Sequence, residues 1–561
     1  MIKRLIRKLR RRNMGEINPE EIFIDSSNLP EFDVHQFEGR LEQPISRNTI
    51  IIVSVVFVLV GVIYASRLWS LQVNRGEAFA ARSEQNRLRH TDLFANRGAI
   101  FDRNGVELAS NGLYEDESDF AKRVYAPIKG VSHLLGYVKY PTKDNAGFYY
   151  RTNYIGEDGV EKVYHDILSG KNGVRIVETD ARGKVQSQGV IEKPVDGQSV
   201  TLSIDSRLNN EIYTIMEKTA ADYGFNGGAA IMMDVTNGDL LAFVSYPEYD
   251  SSLVAEGDSE ALKKYQTDPK TPFLNRAVSG LYTPGSIVKP IVALAALEEN
   301  IISPDKKILS TGALTVPNPY FPDKPTIFRD WKAHGWVDMR KAIAVSSDVY
   351  FYTVGGGFED QKGIGILNIE KYYRMFGLGE RVGINISHEK DGVIPNPEWK
   401  EKNFDGDPWR VGDTYNTAIG QYGVQFTPVQ VVRFVAALAN EGTLITPHLV
   451  DGEKVATKQI TLRKEDYGVV KEGMRMAVTD GTAAGLNVPY VEIAAKTGTA
   501  ELGVSKSQVN SWSVGFFPYQ NPKYAFVFLM ERGPVSNTIG ATYVARQTFD
   551  WMNQNTPEYF K

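Results

Sequence analysis

From Asn48 to Ser66 the chain carries nineteen consecutive uncharged, mostly apolar residues, which as a helix rising about 1.5 Å per residue span roughly 28 Å, one hydrocarbon core. The run exceeds the ~7–15 apolar residues of a cleaved signal peptide, and a long polar leader precedes it, so it reads as one retained transmembrane helix over residues 47–72. Residues 73–92 are polar with helical spacing, and Asn96 to Gly105 reads as strand and turn. Onward to about Gln188 the sequence is rich in Gly, Tyr and Lys with weak periodicity. That pattern predicts a small, irregular, β-rich, non-catalytic pedestal over residues 73–190. Past Val200 the periodicities sharpen. Ala229–Val235 and Leu240–Tyr246 are apolar runs joined by Thr236-Asn237-Gly238-Asp239, and Asn-Gly between such runs signals a hairpin. Val491–Thr499, Ser511–Phe517 and Ala525–Glu531 also read as strands, whereas Ile287–Glu299, Met339–Tyr352 and Pro428–Asn440 read as helices. Two early strands, a helical middle and three late strands predict an α+β domain over residues 191–561. In it one antiparallel sheet joins the first and last segments, with helices packed on it.

Charge placement orients this layout. Seven of the first twelve residues are Lys or Arg, Arg47 flanks the apolar run, and an acidic stretch lies between Glu16 and Glu42. The positive-inside rule then leaves residues 1–46 as a cytoplasmic tail and sends the rest across the membrane. A net charge of −5 argues against a nucleic-acid binder. The absence of cysteine removes disulfides, thiolate metal sites and cysteine nucleophiles together.

Three short motifs carry candidate chemistry. In Thr283-Pro284-Gly285-Ser286-Ile287-Val288-Lys289, Pro-Gly breaks the chain just before an apolar helix, which places Ser286 near the helix N-terminus. Lys289 falls about one turn along the same face. A serine hydroxyl needs an adjacent base to become a nucleophile. Lysine serves as that base only when neutral, a state favoured by burial and a neighbouring positive charge. Ser303-Pro304-Asp305-Lys306 has the same spacing and reads instead as a capping serine with proline in the first turn. Ser346-Ser347-Asp348 precedes the aromatic run Tyr350-Phe351-Tyr352, and Lys496-Thr497-Gly498-Thr499 continues an alternating run. Alone, these are a turn cluster and a strand end; in this order they point to one site.

Ser286-x-x-Lys289, Ser346-x-Asp348 and Lys496-Thr497-Gly498 resemble the three motifs of penicillin-binding proteins and serine β-lactamases. Further segments narrow the resemblance to class B penicillin-binding proteins: Asn96-Arg97-Gly98 with Asp102 to Gly105, Gly156-x-x-Gly159-x-Glu161, Gly420-Gln421 with Thr427-Pro428, and Asp480-Gly481-Thr482-Ala483. The resemblance implies a five-stranded antiparallel sheet with helices on both faces. It also implies a peptidoglycan D,D-transpeptidase inhibited by β-lactams. Ser286 would attack the penultimate D-alanine of a stem peptide, Lys289 would take its proton, and Ser346 would relay a proton to the leaving amine. Lys496 would hold the substrate carboxylate and suppress ionisation of Lys289. Asp348, Thr497, Gly498 and Thr499 would bind substrate, and the N–H groups of Ser286 and Thr499 would face the oxyanion. No metal or cofactor is implied, and His334 reads as a surface or loop histidine. Partners would be stem peptides, β-lactams, the membrane and a polymerising membrane glycosyltransferase.

Two departures stand out. Aspartate replaces the usual asparagine at Asp348, as in the elongation-type subgroup, so the amide donor expected there is absent, and Gly420-Gln421-Tyr422 replaces Gly-Gln-Gly. Alternatives are a D,D-carboxypeptidase with water as acceptor, a septal transpeptidase, and, outside enzymology, a β-lactam sensor or scaffold.

Overall fold

The computed structural model describes residues 47–74 and 89–561, apart from 113–118, 146, 180–184, 319–320, 322 and 454–455. The tail over residues 1–46 and the helical spacing over 75–88 lie outside the described residues. The chain divides into two units, Met1–Arg82 and Ser83–Lys561. In the first, helix α1 (Arg47–Trp69) continues into a π-turn over Ser70–Asn74. The stretch Ile50–Val73 has a mean hydropathy of 2.4 and is long and apolar enough to cross a membrane.

The second unit begins with short strands. β1 (Arg89–Leu93), β2 (Ile100–Phe101), β3 (Glu107–Asn111), β4 (Arg123–Tyr125), β5 (Gly173–Thr179), β6 (Val185–Glu192) and β7 (Val200–Thr201) form two small sheets, in the orders β1-β5-β6 and β7-β2-β3-β4. The helical expectation fails from Arg89 to Asp92, because β1 pairs antiparallel with β5, and long-range pairing overrides local periodicity. A buried carboxylate, Glu161, ties the module together. It accepts from Arg97 Nε at 2.5 Å and Arg123 Nε at 2.7 Å, all three side chains being fully buried. Burial of a charge is tolerable only with such pairing. The turn after β2 reaches onward, where Asp102 accepts from Ser206 N at 3.1 Å and Ser206 Oγ at 2.7 Å.

Ser206 opens helix α2 (Ser206–Tyr223), beside the large sheet. Strands β8 (Gly227–Asp234), β9 (Leu240–Tyr246), β10 (Ala494–Leu502), β11 (Gln508–Phe517) and β12 (Tyr524–Pro534) lie in the order β9-β8-β12-β11-β10, every pair antiparallel. The hairpin and the junction of early with late strands are as the periodicity predicts, and β10 forms an edge. Alternation sorts the side chains onto two cores. Ile231, Met233, Val527 and Leu529 pack with helix α3 (Lys289–Glu298) and helix α6 (Pro428–Ala439). Ala230, Met232, Phe526 and Phe528 pack with α2 and helix α8 (Ala541–Asn555). All of α6 is buried, and Thr427 and Gln430 close its first turn reciprocally, a capping box that satisfies otherwise orphaned donors. The predicted helix Met339–Tyr352 is instead two, α4 (Met339–Val345) and α5 (Asp348–Gly356), broken at Ser346 and Ser347. Helix α7 (Lys464–Asp480) completes the elements around the site.

Candidate active site

The turn ahead of α3 is built for close approach. Gly285 adopts φ +58° and opens a 3-10 turn over Gly285–Val288, a backbone region that favours glycine. Its N–H donates to Gly420 O at 3.0 Å, and a Cβ on Gly420 would lie 2.2 Å from Gly285 O. Behind it, the buried Trp512 donates from Nε1 to Thr283 O at 3.0 Å. Ser286 is thus held half-buried on a cleft wall, and Lys289 opens α3 fully buried. The Ser303-x-x-Lys306 copy is an exposed turn that starts no helix, with Lys306 Nζ bound to Gln361 Oε1.

The second motif owes its shape to a residue that no local pattern marks. Ser346 ends α4 at φ +59°, a conformation that costs a non-glycine residue about 1–3 kcal/mol. Asp330 holds the break open. Its Oδ2 accepts from Ser347 Oγ at 2.9 Å, Val349 N at 3.0 Å and Ser310 Oγ at 3.2 Å, and its Oδ1 accepts from Trp331 N at 2.9 Å. His334 lies 3.5 Å from the same carboxylate with its side chain 2% exposed. It is a loop residue with a buried ring rather than a surface one, and burial pushes its pKa down. Among the described residues, no cluster of three or more His, Cys, Asp or Glu is placed to hold a metal.

The third motif brings the electrostatics to a point. Lys289 Nζ donates to Asp348 Oδ1 at 2.7 Å, Ser346 O at 2.8 Å and Ser346 Oγ at 3.2 Å. From β10, Lys496 Nζ donates to the same Ser346 Oγ at 2.9 Å and to Thr497 O at 2.8 Å. One hydroxyl therefore sits between two buried amines. Burial first, and the charge on Lys289 second, hold Lys496 well below the ordinary lysine range, with Asp348 partly offsetting them. The group whose ionisation this geometry suppresses is Lys496. Asp348, read from the sequence as a missing amide donor, is the counter-ion of Lys289.

Around them opens a cleft of about 800 Å³ lined by Ser286, Ser346, Asp348, Thr497, Gly498 and Thr499. Lys289 and Lys496 lie beneath its floor, so all eight candidate residues meet. Gly498 is there for its size: a Cβ would come within 2.7 Å of Pro284 O and 2.8 Å of Ile287 Cγ2, so only glycine lets β10 press against the Gly285–Val288 turn. Thr497 Oγ1 donates to Thr482 Oγ1 at 2.6 Å, and Thr482 N to Ala344 O at 3.1 Å, which ties the Asp480–Ala483 segment to the third motif and to α4, the helix that ends at Ser346. Tyr422 takes the left-handed conformation at φ +58°, and Gly423 follows at φ +80°. Trp331 forms a wall, while Tyr350 and Tyr352 are packing residues. Trp512 and Arg546, which line the cleft, and Asp330, which holds the second motif, have no motif that announces them.

Residues 228–549 match the family described as penicillin binding protein transpeptidase domain, and residues 118–202 match the penicillin-binding protein dimerisation domain. The peptidoglycan D,D-transpeptidase MrdA of Haemophilus influenzae is 30% identical, over 92% of this chain and 93% of its own length. The penicillin-binding protein PBP2 of Helicobacter pylori, solved in complex with MreC, superposes with a TM-score of 0.69 at 28% identity, over 84% of this chain and all of that one. A chain from a structure describing coordination of polymerization and crosslinking by a peptidoglycan synthase complex gives a TM-score of 0.68 at 27% identity, over 90% of this chain and 97% of that one.

Proposed function

The chain belongs to the penicillin-binding protein transpeptidase family, in its elongation-type class B branch, and from that premise we propose that Ser286 is the acylated residue of a peptidoglycan D,D-transpeptidase whose base is prepared by the substrate. The observation that carries the reading is Ser346 Oγ, 3.2 Å from Lys289 Nζ and 2.9 Å from Lys496 Nζ at the floor of the Ser286 cleft. A charged Lys496 donates to the Ser346 hydroxyl; once its amine is neutral the hydroxyl turns to donate to it while accepting from Lys289, which completes a relay. A substrate carboxylate arriving at Thr497 and Thr499 favours a charged Lys496. The proton therefore moves from Lys289 through Ser346 to Lys496. Lys289, now neutral, takes the proton of Ser286 as Oγ attacks the carbonyl of the penultimate D-alanine, and the N–H groups of Ser286 and Thr499 receive the oxyanion. The C–N bond to the terminal D-alanine breaks, and Ser346 returns a proton to the departing amine. An amine from a neighbouring stem peptide then resolves the ester.

The enzyme is membrane-anchored, with one helix among the described residues suited to crossing. The basic first residues and Arg47 support a cytoplasmic tail over 1–46, an anchor over 47–72, a pedestal over 73–190 and an extracytoplasmic catalytic domain over 191–561. The partnership in the synthase-complex structure supports a polymerising membrane glycosyltransferase as co-worker during elongation. β-Lactams are read as mimics of D-Ala-D-Ala that trap Ser286.

The test is mass spectrometry of the β-lactam-treated protein, with Ser286→Ala beside Ser303→Ala. The adduct is expected to vanish only in the first, and the reverse pattern would unseat Ser286. Turnover on lipid-linked peptidoglycan is expected to give cross-linked dimers; trimmed monomers alone would identify a carboxypeptidase.

A further inference from the structure

Among the described residues lining the cleft, two carry charge, Asp348 and Arg546. The first is engaged by Lys289 at 2.7 Å. The second lies in the second turn of α8 with its side chain 37% exposed. Arg546 Nε donates to Asp550 Oδ2 at 2.7 Å and Nη1 to Gly485 O at 3.1 Å, while Tyr490 Oη steadies Asp550 Oδ1 at 2.8 Å. Nη2 makes no hydrogen bond with a described residue. The guanidinium is therefore oriented by one carboxylate oxygen and one carbonyl, with donors left over at the cleft wall.

Its position along the cleft follows from what it touches. Gly485 lies three residues beyond Thr482, whose hydroxyl meets Thr497. In contrast, Gly498 and Thr499 abut the nucleophile turn, with a Cβ on Gly285 falling 3.2 Å from Thr499 O. A substrate lying along edge strand β10, its scissile carbonyl at Ser286 and Thr499, directs its leaving group toward Thr497 and thus toward Arg546. We propose that Arg546 recognises a carboxylate on the leaving-group side of Ser286 and selects substrates for it. The inference rests on the transpeptidase reading. It makes Arg546 a specificity-determining residue, remote from the proton relay. Two substrates can bring a carboxylate there: the donor, through its terminal D-alanine during acylation, and the acceptor, which enters on the same side once that residue has left.

The experiment uses the full-length protein in detergent and the variants Arg546→Gln, Arg546→Lys and Asp550→Asn. In the donor arm, Ser286 acylation is timed with a peptide thioester whose leaving group ends in a carboxylate, and with its carboxamide twin. In the acceptor arm, the preformed acyl-enzyme is resolved with D-alanine or D-alaninamide. Arg546→Gln is expected to slow the carboxylate partner roughly tenfold in one arm, the size of one charge-assisted hydrogen bond, and to leave the amide partner unchanged; that arm names the source. Arg546→Lys recovers part of the loss. Asp550→Asn weakens the contact of α8 with Tyr490 yet keeps the cation, its bond to Gly485 O and an oxygen for Arg546 Nε, and so retains the discrimination. Equal losses on carboxylate and amide, no loss in either arm, or Asp550→Asn matching Arg546→Gln would each overturn the proposal. A wild-type protein that forms no Ser286 adduct would instead overturn the transpeptidase reading itself.

Discussion

Replacing Lys496 with methionine should abolish acylation and yet change the stability of the fold by no more than about 2 kcal/mol near neutral pH. Lys496 is fully buried, and burial together with the Lys289 charge disfavours its ammonium form. Folding a lysine into such a site costs stability, and substituting a buried ion by an apolar residue of similar volume is commonly neutral or stabilising by about 1–4 kcal/mol. Against that stand the two lost hydrogen bonds, to Ser346 Oγ and Thr497 O, worth about 1 kcal/mol each. The net expectation for Lys496→Met is a change between roughly −2 and +2 kcal/mol, positive values favouring the variant. The pH dependence is the sharper signature. A lysine with a lower pKa folded than unfolded binds fewer protons when folded, so wild-type stability rises with pH until the unfolded lysine, near its ordinary 10.5, also loses its proton. Methionine removes that rise. Melting temperatures of both proteins from pH 6 to 10 should therefore converge, or cross in favour of the wild type, at the alkaline end. A variant less stable by the same margin at every pH would refute the reasoning, because Lys496 would then be a satisfied cation.

Three further outcomes check other parts of the structure. Gly420→Ala adds a Cβ 2.2 Å from Gly285 O at φ +75°, so β-lactam acylation should fall at least tenfold, roughly 1.4 kcal/mol of barrier, read by timed adduct formation. Glu161→Ala leaves Arg97 and Arg123 buried without a counter-ion; it should cost about 3–5 kcal/mol, seen as a lowered Tm, while the folded fraction still acylates at the wild-type rate. Asp348→Asn removes the counter-ion of Lys289 at a side chain 18% exposed and should cost about 1.5–3 kcal/mol in denaturant unfolding. Unchanged stability there would mean that the ion pair contributes nothing net.

Much of this was written locally. The Asn237-Gly238 hairpin, the late strands and the apolar Pro428–Ala439 helix are legible because strand and helix periods are properties of neighbouring residues. The spacing Ser286-x-x-Lys289 is likewise a one-turn relation that survives into the fold. Other features belong to the tertiary structure alone. The break between α4 and α5 is imposed by Asp330, which lies sixteen positions before Ser346 and holds Ser347 and Val349, so a run that reads as one helix is forced open. Asp348 looks like a lost donor until Lys289 is found against it. Lys496 is marked by its motif but not as a suppressed cation, and Arg546 is an ordinary cation in the sequence. Only the packing of β10, α3 and α4 buries one of them beside another charge, and only the placement of α8 turns the other into the cleft, because desolvation and Coulomb forces depend on distances that no local pattern contains.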